Sequence, residues 1–402
     1  MNKLRIRTSV AFIVAGMLLC AWVLRAAAAP IHSPAREQRH IRTLDRQLAH
    51  GAGLDMQKMF PEGEFFTRAL TGLTAGRQAL DGIDVEHNTA LLHAQIEAIN
   101  EDTIAGIFGG DHRGVPHGAF YHGWRLQLLV LAAELGDSTD RSLAHDEAQS
   151  LLAALDDPHH VPLTSYPGQA WPCDLIVAWS AVHRADHLTE VEGLDEATER
   201  LLSTMDSWRD PQTGLLGERF TAQKVTRATG SSQAIINTFL QDIDESVATS
   251  EWKRFREQFV THTWGLIGVR EHPLGIEGTG NVDSGPLIAG VSLSASAVTM
   301  GAARANGDDA LAHRLNQQAE LLGLPLPWRG RGMLDGRAMV FGAMPVGDAF
   351  VVASRTTSSH TTMTTVPYAV PGPGWPLWIS PGLAFIVAGI LLVGRGRRPH
   401  VS

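Results

Sequence analysis

Apolar residues recur at helical spacing through most of this chain. The pattern predicts helices near 36–50, 62–80, 87–101, 118–135, 139–156, 171–187, 195–208, 230–243, 247–262, 284–305 and 308–322. No run of alternating strands interrupts them, although the Gly-rich apolar stretch from Met333 to Ser354 has a β-like character. The helices are of two kinds. Those at 118–135, 171–187 and 284–305 are apolar around most of their circumference, as in Leu126 to Ala133, Leu175 to Ala181 and Leu287 to Ala303. Those at 139–156, 195–208, 247–262 and 308–322 carry charges on one broad face. A helix apolar on all sides is enclosed, and one with a single polar face lies outside. Inner and outer helices alternating through short turns predict an all-α fold of the (α/α)6 toroid type, spanning 30–355. A plain helical solenoid is the alternative, and no repeat of fixed length is visible.

Two further apolar segments lie outside this set. Ser9 to Leu24 is uncharged, preceded by Lys3, Arg5 and Arg7 and followed by Arg25 and the alanines Ala26 to Ala29. Residues 1–29 thus read as a signal peptide or a signal anchor, and the small-residue tail favours cleavage. Trp375 to Val393 opens with Trp375 and Trp378 and is followed by Arg395, Arg397 and Arg398. Residues 375–394 read as a transmembrane helix with a cytoplasmic basic tail at 395–402. The Thr, Ser, Pro and Gly residues of 356–374 read as a linker. Basic flanks at both ends place the helical domain outside the cytoplasm, in a periplasmic or extracellular setting.

An alternating toroid sends all its inner helices in one direction, so their N-termini, with unpaired N–H groups, open on one face. The stretches at those starts are Phe60 to Phe66, Asp111 to Trp124, Ser165 to Asp174, and Asn281 to Pro286, with Arg270-Glu271-His272-Pro273 ahead of the last. Carboxylates, imidazoles, aromatics and a thiol gather there, the inventory that acid/base chemistry draws on. Asp174, Cys173, Asp283 and Glu271 are the candidate catalytic residues. Glu62, Tyr121, His122, Trp124, Tyr166, Trp171 and Arg270 are the candidate substrate-binding ones. A thiol at a helix N-terminus has a lowered pKa, which draws attention to Cys173. Each group also has a plain structural role: Asp283 and Ser284 precede Pro286 as an N-cap would, and Asp174 near a third helical position offsets the dipole.

Composition narrows the field. With 33 basic and 42 acidic residues the formal charge is −9. That balance, without a long basic run, speaks against a nucleic-acid partner. Only Cys20 and Cys173 are present, and Cys20 sits in a hydrophobic segment, so the fold is not built on disulfides and paired-cysteine zinc sites are ruled out. No HExxH-type spacing appears, and neither a metal nor another cofactor is expected.

In order along the chain, four places resemble the linalool dehydratase/isomerase family. They are Phe120-Tyr121-His122-Gly123-Trp124 leading to Glu134-Leu135-Gly136-Asp137; Tyr166-Pro167 followed by Pro172-Cys173-Asp174; Asp210-Pro211-Gln212-Thr213-Gly214; and Arg270-Glu271, Asp283-Ser284-Gly285, Ala302-Ala303-Arg304 and Gly307-Asp308. The resemblance covers roughly 60 to 325 and implies an (α/α)6 barrel. It also implies metal-free removal or addition of water at a tertiary alcohol of a small terpene, by two cysteines, a histidine and an aspartate–tyrosine pair. Cys173 corresponds to the second cysteine. The first falls near Ser165, and the histidine's place is taken by Trp124, two residues from His122. Glu62 and Glu64 lie nearest the aspartate of the pair.

Three functions follow as expectations. The first is a membrane-anchored extracytoplasmic enzyme of the dehydratase/isomerase kind, acting on a small hydroxylated terpenoid or lipid-like molecule. The second is a carbohydrate-active toroid, a glycoside hydrolase or lyase using paired carboxylates. The third is a toroid that binds a ligand or partner without catalysis. The expected partners are a small-molecule substrate and the membrane, with the oligomeric state open.

Overall fold

The computed structural model describes residues 3–108, 118–136, 138–159, 162–221, 224–263, 265–324, 338–339, 344–359 and 374–394. Its regular structure is almost entirely helical: α1 (Lys3–Ala27), α2 (Pro34–Ala49), α3 (Ala52–Met59), α4 (Gly63–Leu80), α5 (Val85–Ile99), α6 (Asp102–Ala105), α7 (Ala119–Leu135), α8 (Ser138–Leu155), α9 (Pro172–Thr189), α10 (Leu194–Met205), α11 (Gly230–Phe239), α12 (Glu245–Phe259), α13 (Leu293–Ala305), α14 (Asp309–Leu322), α15 (Pro345–Arg355) and α16 (Trp375–Gly394). Among the described residues five short strands accompany them: β1 (Val260–Thr263), β2 (Leu266–Arg270), β3 (Val291–Ser292), β4 (Gly323–Leu324) and β5 (Ala338–Met339).

Six helices contact one another in a closed series: α4 with α7, α7 with α9, α9 with α11, α11 with α13, α13 with α15, and α15 again with α4. Behind them lie α5 against α4 and α7, α8 against α7 and α9, α12 against α11, α14 against α13, and α2 against α15 and α4. Burial follows the sequence distinction. In α7 every residue from Ala119 to Ala133 except Arg125 is buried, whereas α8 buries only Ala144, Ala148, Leu151, Leu152 and Leu155. Small residues permit the closest approaches. A Cβ added at Gly123 of α7 would stand 2.9 Å from the Ala178 backbone nitrogen of α9, and one at Gly76 of α4 would stand 2.9 Å from Leu131. Aromatic rings fill one end of the core, where Phe65 lies within 5.5 Å of Phe108, Phe120 and Tyr121, centroid to centroid.

Three parts differ from the sequence reading. The helix expected over 284–305 begins only at Leu293, because Gly285 and Gly290 take positive φ and Pro286 lies between them. The residues before it form an antiparallel sheet in the order β1-β2-β3, pairing Val260 with Val269 and Val269 with Ser292. The helix expected over 247–262 accordingly ends at Phe259, where β-branched and apolar residues meet the hairpin glycine Gly265 at φ 74°. Within the β-like stretch 333–354, Ala338–Met339 is the strand among the described residues; Pro345 instead opens α15, whose Val346, Ala349, Val352 and Ala353 are buried at helical spacing. The short α3 has no counterpart in the sequence reading. Asp111 to His117, Asp137, residues 360–373 of the linker and the basic tail 395–402 lie outside the described residues.

Among the described residues two helices, Lys3–Ala27 and Trp375–Val393, are long and apolar enough to cross a membrane. They pack against each other in antiparallel register. Ser9 donates its hydroxyl to the Gly389 carbonyl (2.5 Å), the Phe12 and Phe385 rings are 5.4 Å apart, and Gly16 faces Gly382.

Candidate functional site

The first turns of α4, α9 and α11 converge with the loop before α9 and the segment after β2. In α9, Trp171 is the extended N-cap and Pro172 the first helical residue, so Cys173 and Asp174 occupy the next two positions. Just upstream, a tight turn closed by mutual backbone hydrogen bonds of Tyr166 and Gln169, with Gly168 at φ 74°, presents Ser165 and Tyr166. Ser165 donates to Asp174 Oδ2 at 2.5 Å, and the Cys173 thiol lies 3.7 Å from Asp174 Oδ1. Tyr166 donates its hydroxyl to Oε1 of Glu62, the N-cap residue of α4. Ser232, in the first turn of α11, stands near enough to Cys173 to favour its sulfur as an acceptor.

Glu271 reaches the same end from β2. Its two carboxylate oxygens accept from the Ser231 N–H (3.1 Å) and hydroxyl (2.7 Å), and its carbonyl accepts from Gly230 N–H. It thereby caps α11, satisfying N–H groups that helix geometry leaves open. Asp283 lies on the exposed loop between β2 and β3. Glu218 accepts from Asn281 Nδ2 at 3.0 Å.

These carboxylates feel one another. Burial, with the charges of Asp283 and Glu62 added, pushes Asp174 up to about 7 despite its hydrogen bonds from Ser165 and Cys173. Glu271 is likewise pushed up to about 7, by burial first and by Glu218 and Asp283 against the counteracting Ser231 bonds. Desolvation by the surrounding protein and the charge of Glu62 raise Asp283, and burial and Asp283 raise Glu218. Burial and the neighbouring Asp174 and Asp283 hold the Cys173 thiol well above its ordinary value. The expectation that the helix N-terminus would lower it is therefore corrected: the local negative charge and exclusion of water outweigh the dipole. Burial and Glu62 raise Tyr166 strongly, so it remains a hydroxyl donor. Asp174, able to gain or lose a proton near neutrality, stands beside a neutral thiol, and Glu271, raised in the same way, sits against the first turn of α11.

The structure thus brings Glu62, Tyr166, Cys173, Asp174, Glu271 and Asp283 to one end of the central helices, and Trp171 sets its ring edge-on to Tyr166 at 5.6 Å. Other candidates are engaged elsewhere. His122 Nδ1 sits 2.6 Å from Glu147 Oε1, and Arg125 holds the other oxygen at 2.5 Å, so His122 turns outward between α7 and α8. Tyr121 donates to the Ile99 carbonyl and Asn100 Oδ1, not toward the carboxylates. Trp124 lies deeper, against Phe66 and Phe239, and helps line a small cavity enclosed by Leu70, Ile235, Val298 and Phe350 between five of the central helices. Arg270 points away from Glu271, as successive strand residues do. Its guanidinium donates to the Ile276 carbonyl (2.9 Å), Glu277 Oε1 (3.0 Å) and the His272 and Ala289 carbonyls. Arg270 and Glu271, adjacent in sequence, thus engage separate partners. Glu64 turns back to Arg68 at 2.8 Å. Asp283 and Ser284 do not cap α13; Ser292 does, accepting from Ala295 N–H.

Sequence reasoning passed over Ser231, Ser232 and Glu218, and treated Ser165 only as a place where a cysteine was missing. Thr229-Gly230-Ser231-Ser232 ahead of a helix is a capping signal that could have drawn attention to α11. Nothing local marks Glu218. No family model matches the chain, and no curated protein matches it.

Proposed function

We propose that the closed series of six central helices is an (α/α)6 toroid whose N-terminal mouth is an acid/base active site. The observation that carries this is the coupled set Glu62–Tyr166 and Ser165–Asp174–Cys173, drawn from two non-adjacent stretches of chain into hydrogen-bond contact. A group that titrates near 7 can both give and accept a proton at neutral pH. The reaction class is elimination or addition of water at an alcohol, with allylic isomerisation as its combination. In elimination, Asp174 in its acid form delivers a proton to the departing hydroxyl as the C–O bond breaks. The Glu62 carboxylate, oriented by Tyr166, takes a proton from the neighbouring carbon. A C=C bond forms and water leaves. The neutral Cys173 thiol, donating to Asp174 Oδ1, keeps that carboxyl oriented.

The aromatic surroundings of Tyr166 (Phe108, Phe120 and Trp171) favour a small hydroxylated terpenoid or lipid-like substrate over a strongly polar one. The resemblance to the linalool dehydratase/isomerase family points the same way, and Tyr166 with Glu62 would fill the role of its carboxylate–tyrosine pair. A glycan-cleaving toroid is the second reading, favoured by the number of carboxylates at the mouth, Glu218 among them. The domain is proposed to lie outside the cytoplasm. The antiparallel packing of α1 and α16 puts Lys3, Arg5 and Arg7 at the same end as Gly394, the residue that precedes the basic tail in sequence, and basic flanks stay inside.

The test is incubation of the purified, detergent-solubilised protein with tertiary allylic alcohols, reading alkene by gas chromatography and ¹⁸O exchange from labelled water. Product formation lost in Asp174→Asn, with an unchanged melting temperature, is the expected result. Turnover of oligosaccharides instead would establish the second reading, and no turnover of either class with intact folding would overturn the enzymatic one.

A further inference from the structure

Residues 3–27 could be a leader removed on export or a permanent part of the molecule, and two independent features bear on the choice. The first is how the end of α1 joins the domain. Trp22 Nε1 donates to the Leu321 carbonyl at 3.1 Å, and Arg25 donates to the Glu320 carbonyl at 2.8 Å. Both carbonyls belong to the last turn of α14, where helix geometry leaves C=O groups without partners. Arg25 also pairs with the Glu320 carboxylate at 2.9 Å, and that carboxylate is buried against Arg355 at 2.6 Å. Gln317 donates to the Ala27 carbonyl (2.8 Å), and Asn316 to those of Ala29 (3.2 Å) and Pro30 (3.0 Å). Ala26 is 0% exposed, Ala27 2% and Ala29 8%. Of the small-residue run that reads as a cleavage site, Ala26, Ala27 and Ala29 are therefore inside the fold while Ala28 faces solvent, and the Ala27 and Ala29 carbonyls are occupied by buried amide side chains. Removing it would strand those amides and uncap α14, each a loss that a buried polar group does not recover from solvent.

The second feature lies within the apolar lengths of the two terminal helices. A Cβ added at Gly382 would come within 3.0 Å of the Cys20 nitrogen and 2.9 Å of the Gly16 carbonyl, and one at Gly389 within 2.8 Å of the Ser9 carbonyl. The glycines thus let the two backbones touch, and Ser9 adds an interhelical hydrogen bond to Gly389. In lipid, where burial of apolar surface drives nothing, close backbone approach and such bonds are what hold helices together.

We infer that residues 3–27 are retained and form, with α16, a permanent two-helix membrane hairpin on which the domain is seated, so that Ala27 to Ala29 is not processed. This goes beyond the proposed chemistry and does not depend on it. The test uses the full chain purified from membranes in detergent. Trypsin should release the peptide Ala26–Arg36 intact as the dominant form of this region. Separately, Gly382→Cys with the resident Cys20, and Phe12→Cys with Phe385→Cys, should each give a disulfide within a single chain on mild oxidation. The second pair guards against a packing clash at Gly382. A dominant peptide beginning between Ala27 and Ile31 would overturn retention. Intact Ala26–Arg36 with no cross-link from either pair, or cross-links only between two copies, would overturn the hairpin. None of these readouts involves turnover, so a failure of the proposed enzymatic reading leaves them unaffected.

Discussion

Tyr166 donates its hydroxyl hydrogen to Glu62, a residue 104 positions earlier in the chain. One belongs to the turn before α9 and the other caps α4, so the bond ties the starts of two helices of the central series together. Burial and the charge of Glu62 keep Tyr166 protonated, which fixes the direction of the bond. Tyr166→Phe is expected to lower turnover by about 10²–10⁴-fold, the range of a displaced acid/base group. It should cost only about 1 kcal/mol of stability, because Glu62 is half-buried and can turn to water. Steady-state kinetics beside thermal melting separates the two.

Asp174 is raised from 3.8 to about 7 by burial. A carboxyl whose folded pKa lies above its unfolded one favours folding when protonated. That contribution is complete below about 4 and is lost as pH rises through about 7. Glu271, also pushed up to about 7, acts in the same direction. Thermal stability is thus expected to fall across this window by an amount on the order of a few kcal/mol, given about 1.4 per pKa unit. Asp174→Asn should flatten part of that slope while abolishing turnover. Under the proposed chemistry, elimination should decline above about pH 7 as the donor is lost. Melting curves from pH 4 to 8 with matched rates would reveal a rising or flat stability profile if this assignment is wrong.

Arg270 acts at a distance. Its guanidinium gathers the backbone of the segment 272–290 that carries Asp283, without facing the carboxylates itself. Arg270→Ala is expected to destabilise the domain by about 1–3 kcal/mol. It should raise KM and lower kcat together while leaving the pH dependence of kcat in place. A changed pH profile would mean that Arg270 addresses the titrating groups directly.

His122 and Glu147 provide a contrast. The hydrogen bonds from His122 and Arg125 outweigh the effect of burial and hold Glu147 below the usual carboxylate range. Glu147→Gln removes the charge that both partners face and should cost about 1–3 kcal/mol of stability with turnover unaltered. Loss of turnover in a stably folded Glu147→Gln protein would return His122 to the active site.

The contact of α7 with α9 sets the spacing of the central helices. Gly123→Val places a side chain against the Ala178 backbone, where a Cβ already stands 2.9 Å away. Overpacking of this kind costs roughly 1–3 kcal/mol. A lowered denaturant midpoint with an unchanged slope is the expected signature.

Hydrophobic periodicity placed most of the central helices and separated enclosed from one-faced ones, because burial demands an apolar stripe whose width the sequence displays, but it missed α3 and α15 and the ends of α12 and α13. It also marked α1 and α16, since crossing a hydrocarbon layer requires a long uncharged run. The first turn of α9, with Pro172, Cys173 and Asp174, was legible for the same local reason. What tertiary structure alone decided was who meets whom. Strand formation over 260–292 depended on partners from either side of a hairpin, which a helical period cannot register. His122 and Arg270 had the right chemistry and the right neighbourhood in sequence, yet their side chains leave on the wrong face. Glu271 caps a helix that begins 41 residues before it, and Tyr166 meets Glu62 through the packing of α4 beside α7 and α7 beside α9. Sequence determines which faces must be covered; the packing of the helices determines which charged and polar groups meet and how far each is buried, and those two things shift their protonation.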